Sequence, residues 1–284
     1  MGFSCELLKI CNLELSPKMY KITKKVKLAD QTYMVSLQCP EIAKLIKPGQ
    51  FVLLRINEHS ECISFDYHGG TKKEIRFVFE SNDKTKPLVS MKKGNHIFEL
   101  AGPFGLPSDL KAYTTICLVG KGAGIASIYT LASSIKSRHN RIIAILGAES
   151  KKKLFWEDKF DKVADHMFIS TEDGSKGRKG TLDLALKDIL KKRIDIIYMV
   201  ADNEVMSQIS KMTMHYVKTI SRVQVSMLDG LGVTGCDRVF YDNQIRLSSI
   251  DGPDFDAHKI NWDWMACRDN PFQDKAMIYN TRKK

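Results

Sequence analysis

Two hydrophobic rhythms divide this chain of 284 residues. Over residues 20–26, 33–37, 51–56, 74–80 and 96–100, apolar side chains come in short strand-length runs. The run Glu74-Ile75-Arg76-Phe77-Val78-Phe79-Glu80 alternates most cleanly, and Pro48-Gly49-Gln50 and Gly102-Pro103-Phe104-Gly105 mark turns between runs. Short strands separated by turn signals predict a small antiparallel β-barrel over residues 19–111. After Ala112 strand and helix periods alternate. Strands are expected at 115–119, 141–147, 167–170 and 194–200, and helices at 127–135, 154–164, 182–190 and 205–216. That order predicts a doubly wound parallel sheet, an α/β domain over 112–226. A loop-rich C-terminal lobe, 227–284, follows, with turns at Asp242-Asn243 and Asp251-Gly252-Pro253. Residues 1–18 form an N-terminal extension.

The stretch Val119-Gly120-Lys121-Gly122-Ala123-Gly124-Ile125-Ala126 joins the first strand of the α/β domain to its first helix. Gly120, Gly122 and Gly124 allow the backbone to approach a ligand closely. The helix N-terminus offers unpaired N–H groups and a partial positive charge to a phosphate. The alternative is a tight strand-to-helix turn with no ligand.

Composition narrows the picture without changing it. The apolar and charged fractions are those of an ordinary soluble protein. No run of eighteen apolar residues exists, so no transmembrane helix is expected, and the N-terminus lacks the features of a signal peptide. A cytoplasmic protein without a membrane partner is the expectation. Seven cysteines are scattered with no C-x-x-C pair, which argues against a disulfide framework or a zinc site. The net charge of +11 is spread along the chain. Clusters such as Lys151-Lys152-Lys153 read as solvated faces, and no basic stripe interleaved with aromatics points to nucleic acid.

A barrel followed by a nucleotide-type α/β domain is the order of the ferredoxin–NADP reductase superfamily. From Tyr20 to about Asp263 the chain resembles the small electron-transfer subunits of NADH-dependent ferredoxin:NADP oxidoreductase, sulfide dehydrogenase and dihydroorotate dehydrogenase. The resemblance rests on Pro48-Gly49-Gln50-Phe51-Val52, Gly102-Pro103-Phe104-Gly105-Leu106-Pro107-Ser108, the glycine turn and Ile145-Leu146-Gly147-Ala148. It extends through Glu172-Asp173-Gly174-Ser175-Lys176-Gly177-Arg178-Lys179-Gly180 and Asp251-Gly252-Pro253-Asp254-Phe255-Asp256-Ala257-His258. It implies NAD(P)H on the α/β domain, FAD between the domains, a [2Fe-2S] cluster in the C-terminal lobe and a larger flavin and iron–sulfur subunit as partner. The flavin would convert a hydride into single electrons.

Each implied station departs from the family pattern. The cluster motif D-G-x-G-x-C-G-x-C-R-V followed by F-x-C-x-D-G-P is present in spacing. Thr234, Asp237 and Ser249 stand at its three cysteine positions, Asp229 keeps its place, and Cys236 is one residue out of register. Thiolates hold such clusters, so no [2Fe-2S] and no other bound metal is expected. In the flavin motif, Glu61-Cys62-Ile63-Ser64-Phe65-Asp66 replaces E-R-x-P-x-T. Cys62 thus stands where an arginine fork would meet the flavin phosphates, and Asp66 where a small hydroxyl would meet the ring. The resemblance assigns Ile63, Ser64, Phe65, Lys84, Thr85 and Lys86 to the flavin, with Lys86 a candidate substitute for the arginine. For the dinucleotide it assigns Gly120, Gly122, Gly124, Arg178 and Lys179, the last two being alternatively solvated loop charges. Ala201-Asp202 replaces a Gly-Pro pair, and Glu149 stands at an arginine position. An acid there disfavours a 2′-phosphate, so NAD is expected over NADP. Two functions remain open: a diverged NAD(P)H/flavin oxidoreductase-type subunit without the cluster, and a non-catalytic pseudoenzyme serving as a structural or binding subunit.

Overall fold

The computed structural model describes residues 19–108, 113–136, 140–223, 225 and 230–269. The extension 1–18, the boundary between 111 and 112 and Asp229 lie outside them.

The N-terminal half comprises β1 (Tyr20–Ala29), β2 (Thr32–Gln38), α1 (Pro40–Ala43), β3 (Phe51–Arg55), β4 (Cys62–Asp66) and β5 (Glu74–Glu80). It ends with α2 (Lys86–Ser90), β6 (His96–Ile97) and β7 (Glu99–Phe104). The strands form two antiparallel sheets, ordered β5-β2-β1-β6 and β4-β3-β7, curled around one core. Ile22, Val35, Leu54, Phe65, Ile75 and Phe77 fill it. The alternation expected for β5 breaks at Val78, which is also buried. Val78 and Met34 belong to the core of the α/β domain instead, so β2 and β5 are covered on both sides.

The second half comprises β8 (Thr115–Lys121), α3 (Gly124–Ile135), β9 (Arg141–Ala148), α4 (Glu157–Phe160), β10 (His166–Thr171) and β11 (Arg178–Lys179). It continues through α5 (Leu182–Ile189), β12 (Ile196–Val200), α6 (Asn203–Thr213) and β13 (Lys218–Arg222). Strands β8 and β12 are buried nearly end to end, as fits strands covered on both faces. The sheet runs β11-β10-β9-β8-β12-β13-β16, parallel throughout except for its last member. Because the chain leaves β8 first toward β9 and later toward β12, the order reverses beside β8, where open α/β sheets place their ligand crevice.

Two segments differ from expectation. The predicted helix over 154–164 shrinks to the single turn α4, because Leu154, Phe155 and Trp156 are all buried in succession. A helix at 3.6 residues per turn cannot point three neighbours inward. Trp156 instead adopts φ +62° and packs edge-on against Tyr129, ring centroids 5.2 Å apart. The C-terminal lobe carries β14 (Arg238–Tyr241), β15 (Gln244–Leu247), α7 (Ser248–Asp251), β16 (Asp254–Asp256) and α8 (Trp262–Asp269). Its β16 pairs with β13 and completes the α/β sheet, so this segment is joined to the domain before it. Among the described residues no helix is long and apolar enough to cross a membrane.

Candidate functional site

Two adjoining cavities open where the barrel meets the switch point of the sheet. The first, about 250 Å³, is lined by Ile63, Ser64, Phe65 and Asp66 of β4, by His68, and by Ser127 of α3. The second, about 330 Å³, lies over the glycine turn among Lys121, Gly122, Ala123, Glu149, Lys153 and Asp202. Glu80 and Ala123 line both. Strand β4 is an edge strand, bonded to β3 alone among named strands. The Tyr67 N–H donates to Gln50 O, and bonded pairs alternate along an antiparallel ladder. The main-chain groups of Ser64 and Asp66 therefore turn away from β3, toward the first cavity.

The floor of this cavity is a buried charge network. Arg222 closes β13 with its side chain only 4 % exposed. Its Nε donates to Asp66 Oδ2 and its Nη2 to Asp66 Oδ1, both at 2.8 Å, a bidentate fork. Its Nη1 donates to Gly49 O at 2.9 Å and to Asp254 Oδ1 at 3.3 Å. Asp254 also accepts from Tyr198 OH, and from Ser108 Oγ at 2.5 Å. Burial alone would raise the Asp66 carboxyl, but the Arg222 guanidinium overcomes it and holds Asp66 below the usual carboxylate range. Burial dominates at Asp254, which is pushed up. The negative charge that Asp66 brings to the flavin-ring position is therefore neutralised from beneath.

His68 completes the wall. Its Nδ1 accepts the Val78 N–H at 2.9 Å, so the ring proton sits on Nε2, which donates to Ser127 Oγ at 2.9 Å. Ser127 in turn donates to Asp66 Oδ2 at 3.2 Å. With its proton directed to an arginine-bound carboxylate, Ser127 is not an activated nucleophile. Burial lowers the His68 pKa to about 4, against 6.5 for a solvated imidazole. The folded protein thus binds His68's proton less readily than the unfolded chain. Its stabilising contribution is complete above pH 6.5 and is lost as pH falls from there toward 4. The expected loss is about 3 kcal/mol, read from urea denaturation across that range. A His68→Gln variant should lack this part of the pH dependence.

The residues assigned to the flavin divide. Ile63, Ser64 and Phe65 line the first cavity, and Phe65 also stacks into the barrel core on Phe77 at 4.7 Å. Thr85 lines it too, but its hydroxyl turns back to Glu80 O at 2.8 Å. The cations are engaged elsewhere: Lys84 pairs with Glu61 at 3.3 Å and Lys86 with Asp83 at 2.6 Å. Cys62 is a thiol whose pKa burial raises, so it stays neutral. The ring half of a flavin has a seat, whereas its diphosphate half meets no uncommitted cation from these four positions. At the diphosphate half the family's arginine is absent, and the lysines beside it stand in exposed ion pairs.

The glycine turn serves packing as much as any ligand. A Cβ on Gly124 would lie 2.2 Å from Val200 O, and one on Gly120 would lie 2.8 Å from Ile128 Cδ1. Both glycines let α3 press against the sheet. Gly122 alone of the three has positive φ, +56°. Around the turn, Lys121 is held by Glu172 and Asp202, each at 2.7 Å, and Lys153 by Glu149 at 2.8 Å. Arg178 and Lys179 sit on β11, three places from β8 in the sheet. Arg178 pairs with Asp188 on α5, and both residues are exposed. A dinucleotide diphosphate meets an acid-rich turn here.

In the C-terminal lobe two of the cluster positions bond to each other. Asp237 Oδ2 accepts the Ser249 N–H at 3.0 Å and the Ser249 hydroxyl as well. Asp237 is 2 % exposed, and its Oδ1 is buried without a hydrogen-bond partner. No group of three or more His, Cys, Asp or Glu placed to hold a metal occurs among the described residues. Hydroxyl and carboxylate oxygens are hard donors, unlike the thiolates that a [2Fe-2S] cluster requires. The donor set does not fit the cluster.

Sequence reading missed Arg222, His68, Tyr198 and Glu80. An arginine following the uncharged run Thr219-Ile220-Ser221 at the end of β13 was the available signal for the first. A buried cation needs a buried anion, and Asp66 was already the unexpected acid.

Comparison with known proteins places the chain. No protein-family model matches it. The dihydroorotate dehydrogenase B (NAD(+)) electron transfer subunit homolog of Thermotoga maritima is 33% identical over 264 residues, covering 91% of this chain and 93% of that protein. The corresponding subunit of Fusobacterium nucleatum is 32% identical over 180 residues, covering 60% and 67%. The solved NADH-dependent reduced ferredoxin–NADP oxidoreductase, an electron-bifurcating flavin system, superposes with TM-score 0.84 at 30% identity, covering 93% of this chain and 98% of its own. Spacing, fold and identity over nearly the whole length agree: the chain belongs to the family of oxidoreductase electron-transfer subunits typified by that of dihydroorotate dehydrogenase B.

Proposed function

We propose that this family member is a non-catalytic subunit, keeping the electron-transfer scaffold as a structural or binding partner of a larger oxidoreductase subunit. The observation that carries this reading is that charged and polar groups at the cofactor positions are bonded to one another. Asp66 is spent on Arg222, Lys84 on Glu61, Lys86 on Asp83, and Asp237 on Ser249. A site built for phosphates or iron keeps such groups for its ligand. Relatives named as electron-transfer subunits support a partner subunit here. The scaffold is carried without NAD(P)H chemistry, since the acids around the glycine turn oppose a diphosphate.

One observation favours a second reading. The 250 Å³ cavity along the open edge of β4 retains room and main-chain groups for a flat heteroaromatic ring, so a flavin could be held by its ring alone. Titrating FAD and riboflavin against the protein, with flavin fluorescence as readout, separates the two. The first reading expects no saturable quenching by either. Equal, saturable quenching by both supports ring-only binding. FAD bound much more tightly than riboflavin, with NADH oxidation, overturns the proposal.

A further inference from the structure

Glu80 ends β5 on the barrel, yet its side chain reaches the glycine turn of the other domain. Its Oε1 accepts the Ala123 N–H at 3.0 Å, at the entrance to α3. Gly122 makes this contact possible: a Cβ there would lie 2.3 Å from the same oxygen. The space and N–H that such a turn offers to a ligand's oxygen are taken by one of the protein's own carboxylates. Glu80 and Ala123 also line both cavities, so their bond stands where the ring cleft meets the cavity over the turn. The cations of this cavity are already shared among other acids: Lys121 is held by Glu172 and Asp202, and Lys153, which also lies in the field of Glu80, is held by Glu149.

We propose that Glu80 is a specificity determinant of the glycine-turn cavity, an internal anion seated where a phosphate oxygen would be received, which rejects nucleotide diphosphates. A ligand reaching from the ring cleft over the turn has to displace it. A neutral or cationic group can enter the 330 Å³ cavity without that displacement. The inference rests on the proposed reading only in taking the turn as the family's dinucleotide station. It is independent of whether flavin or iron is bound.

The test compares the full-length protein with its Glu80→Gln and Glu80→Ala variants by calorimetric titration with ADP and with NADH. Glu204→Gln, which removes a carboxylate two residues beyond Asp202 without releasing Lys121 or Lys153 from its ion pairs, is the control for charge alone. Glu80 is exposed, so its replacement should leave the melting temperature nearly unchanged, and melting is recorded for each variant. Both Glu80 variants should bind ADP about tenfold or more tightly than the wild type, while E204Q changes affinity much less. Equal affinity in wild type and Glu80 variants overturns the inference, as does an equal gain in E204Q. Flavin and iron content of the same preparations reports separately on the non-catalytic reading, so either proposal can fail alone.

Discussion

Replacing Arg222 with methionine should lower the unfolding free energy by about 3–5 kcal/mol, the largest effect expected of a single substitution here. Methionine keeps much of the buried volume but removes the cation from Asp66 and Asp254 together. Asp66 then has only Ser127 as a side-chain donor, and Asp254 keeps Ser108 and Tyr198. A half-buried carboxylate stripped of its guanidinium must either stay charged in poor solvent or take up a proton. Adding Asp66→Asn to R222M should restore part of the loss, since a neutral amide is cheaper to bury than an unpaired charge. Urea denaturation of the two single variants and the double variant measures this directly. A loss under about 1 kcal/mol for R222M would mean that the pair is worth no more than a surface ion pair.

The second large effect is a gain. Cys62→Arg places a guanidinium at the position where the family pattern has its phosphate-binding arginine. Hydrogen bonds to charged groups contribute about 1.5–3 kcal/mol, so FAD affinity should rise about 10- to 100-fold. Riboflavin, lacking the diphosphate, should gain little. Fluorescence titration with both ligands reads the split. If C62R leaves FAD binding unchanged, the lost arginine is not what limits it, and the carboxylates Glu61 and Asp83 beside Lys84 and Lys86 become the obstacle.

What the sequence made legible is what local pattern encodes. The strand, glycine turn and helix at β8 and α3 follow from contiguous residues, as do the barrel's short strands. The length of α4 was not legible, because Leu154-Phe155-Trp156 satisfies helix spacing on paper, and only the fold shows all three buried in the core of the α/β domain. The same limit governs the site. Ile63, Ser64 and Phe65 reach the cavity together because they share one strand. The partners that fix the site's charge are remote: Arg222 lies 156 residues from Asp66, and Glu80 lies 43 from Ala123. Each residue looks unremarkable in its own neighbourhood. Composition counted the cations, but only the fold tells which are already paired.

The cluster positions carry the same lesson at shorter range. Thr234, Asp237 and Ser249 are visibly not thiolates in the sequence. That Asp237 and Ser249 would bond across 12 residues requires the lobe's turns to bring them together. The bond gives the loop a closure of its own where the family pattern has cysteines.

In the proposed reading, side-chain pairing has taken the place of prosthetic groups. It is tested most directly by assaying iron, acid-labile sulfide and flavin in full-length protein purified anaerobically from iron- and riboflavin-replete cells. Substoichiometric amounts of all three and a colourless, cooperatively folding protein are expected. Two irons, two sulfides and one FAD per chain would contradict that reading.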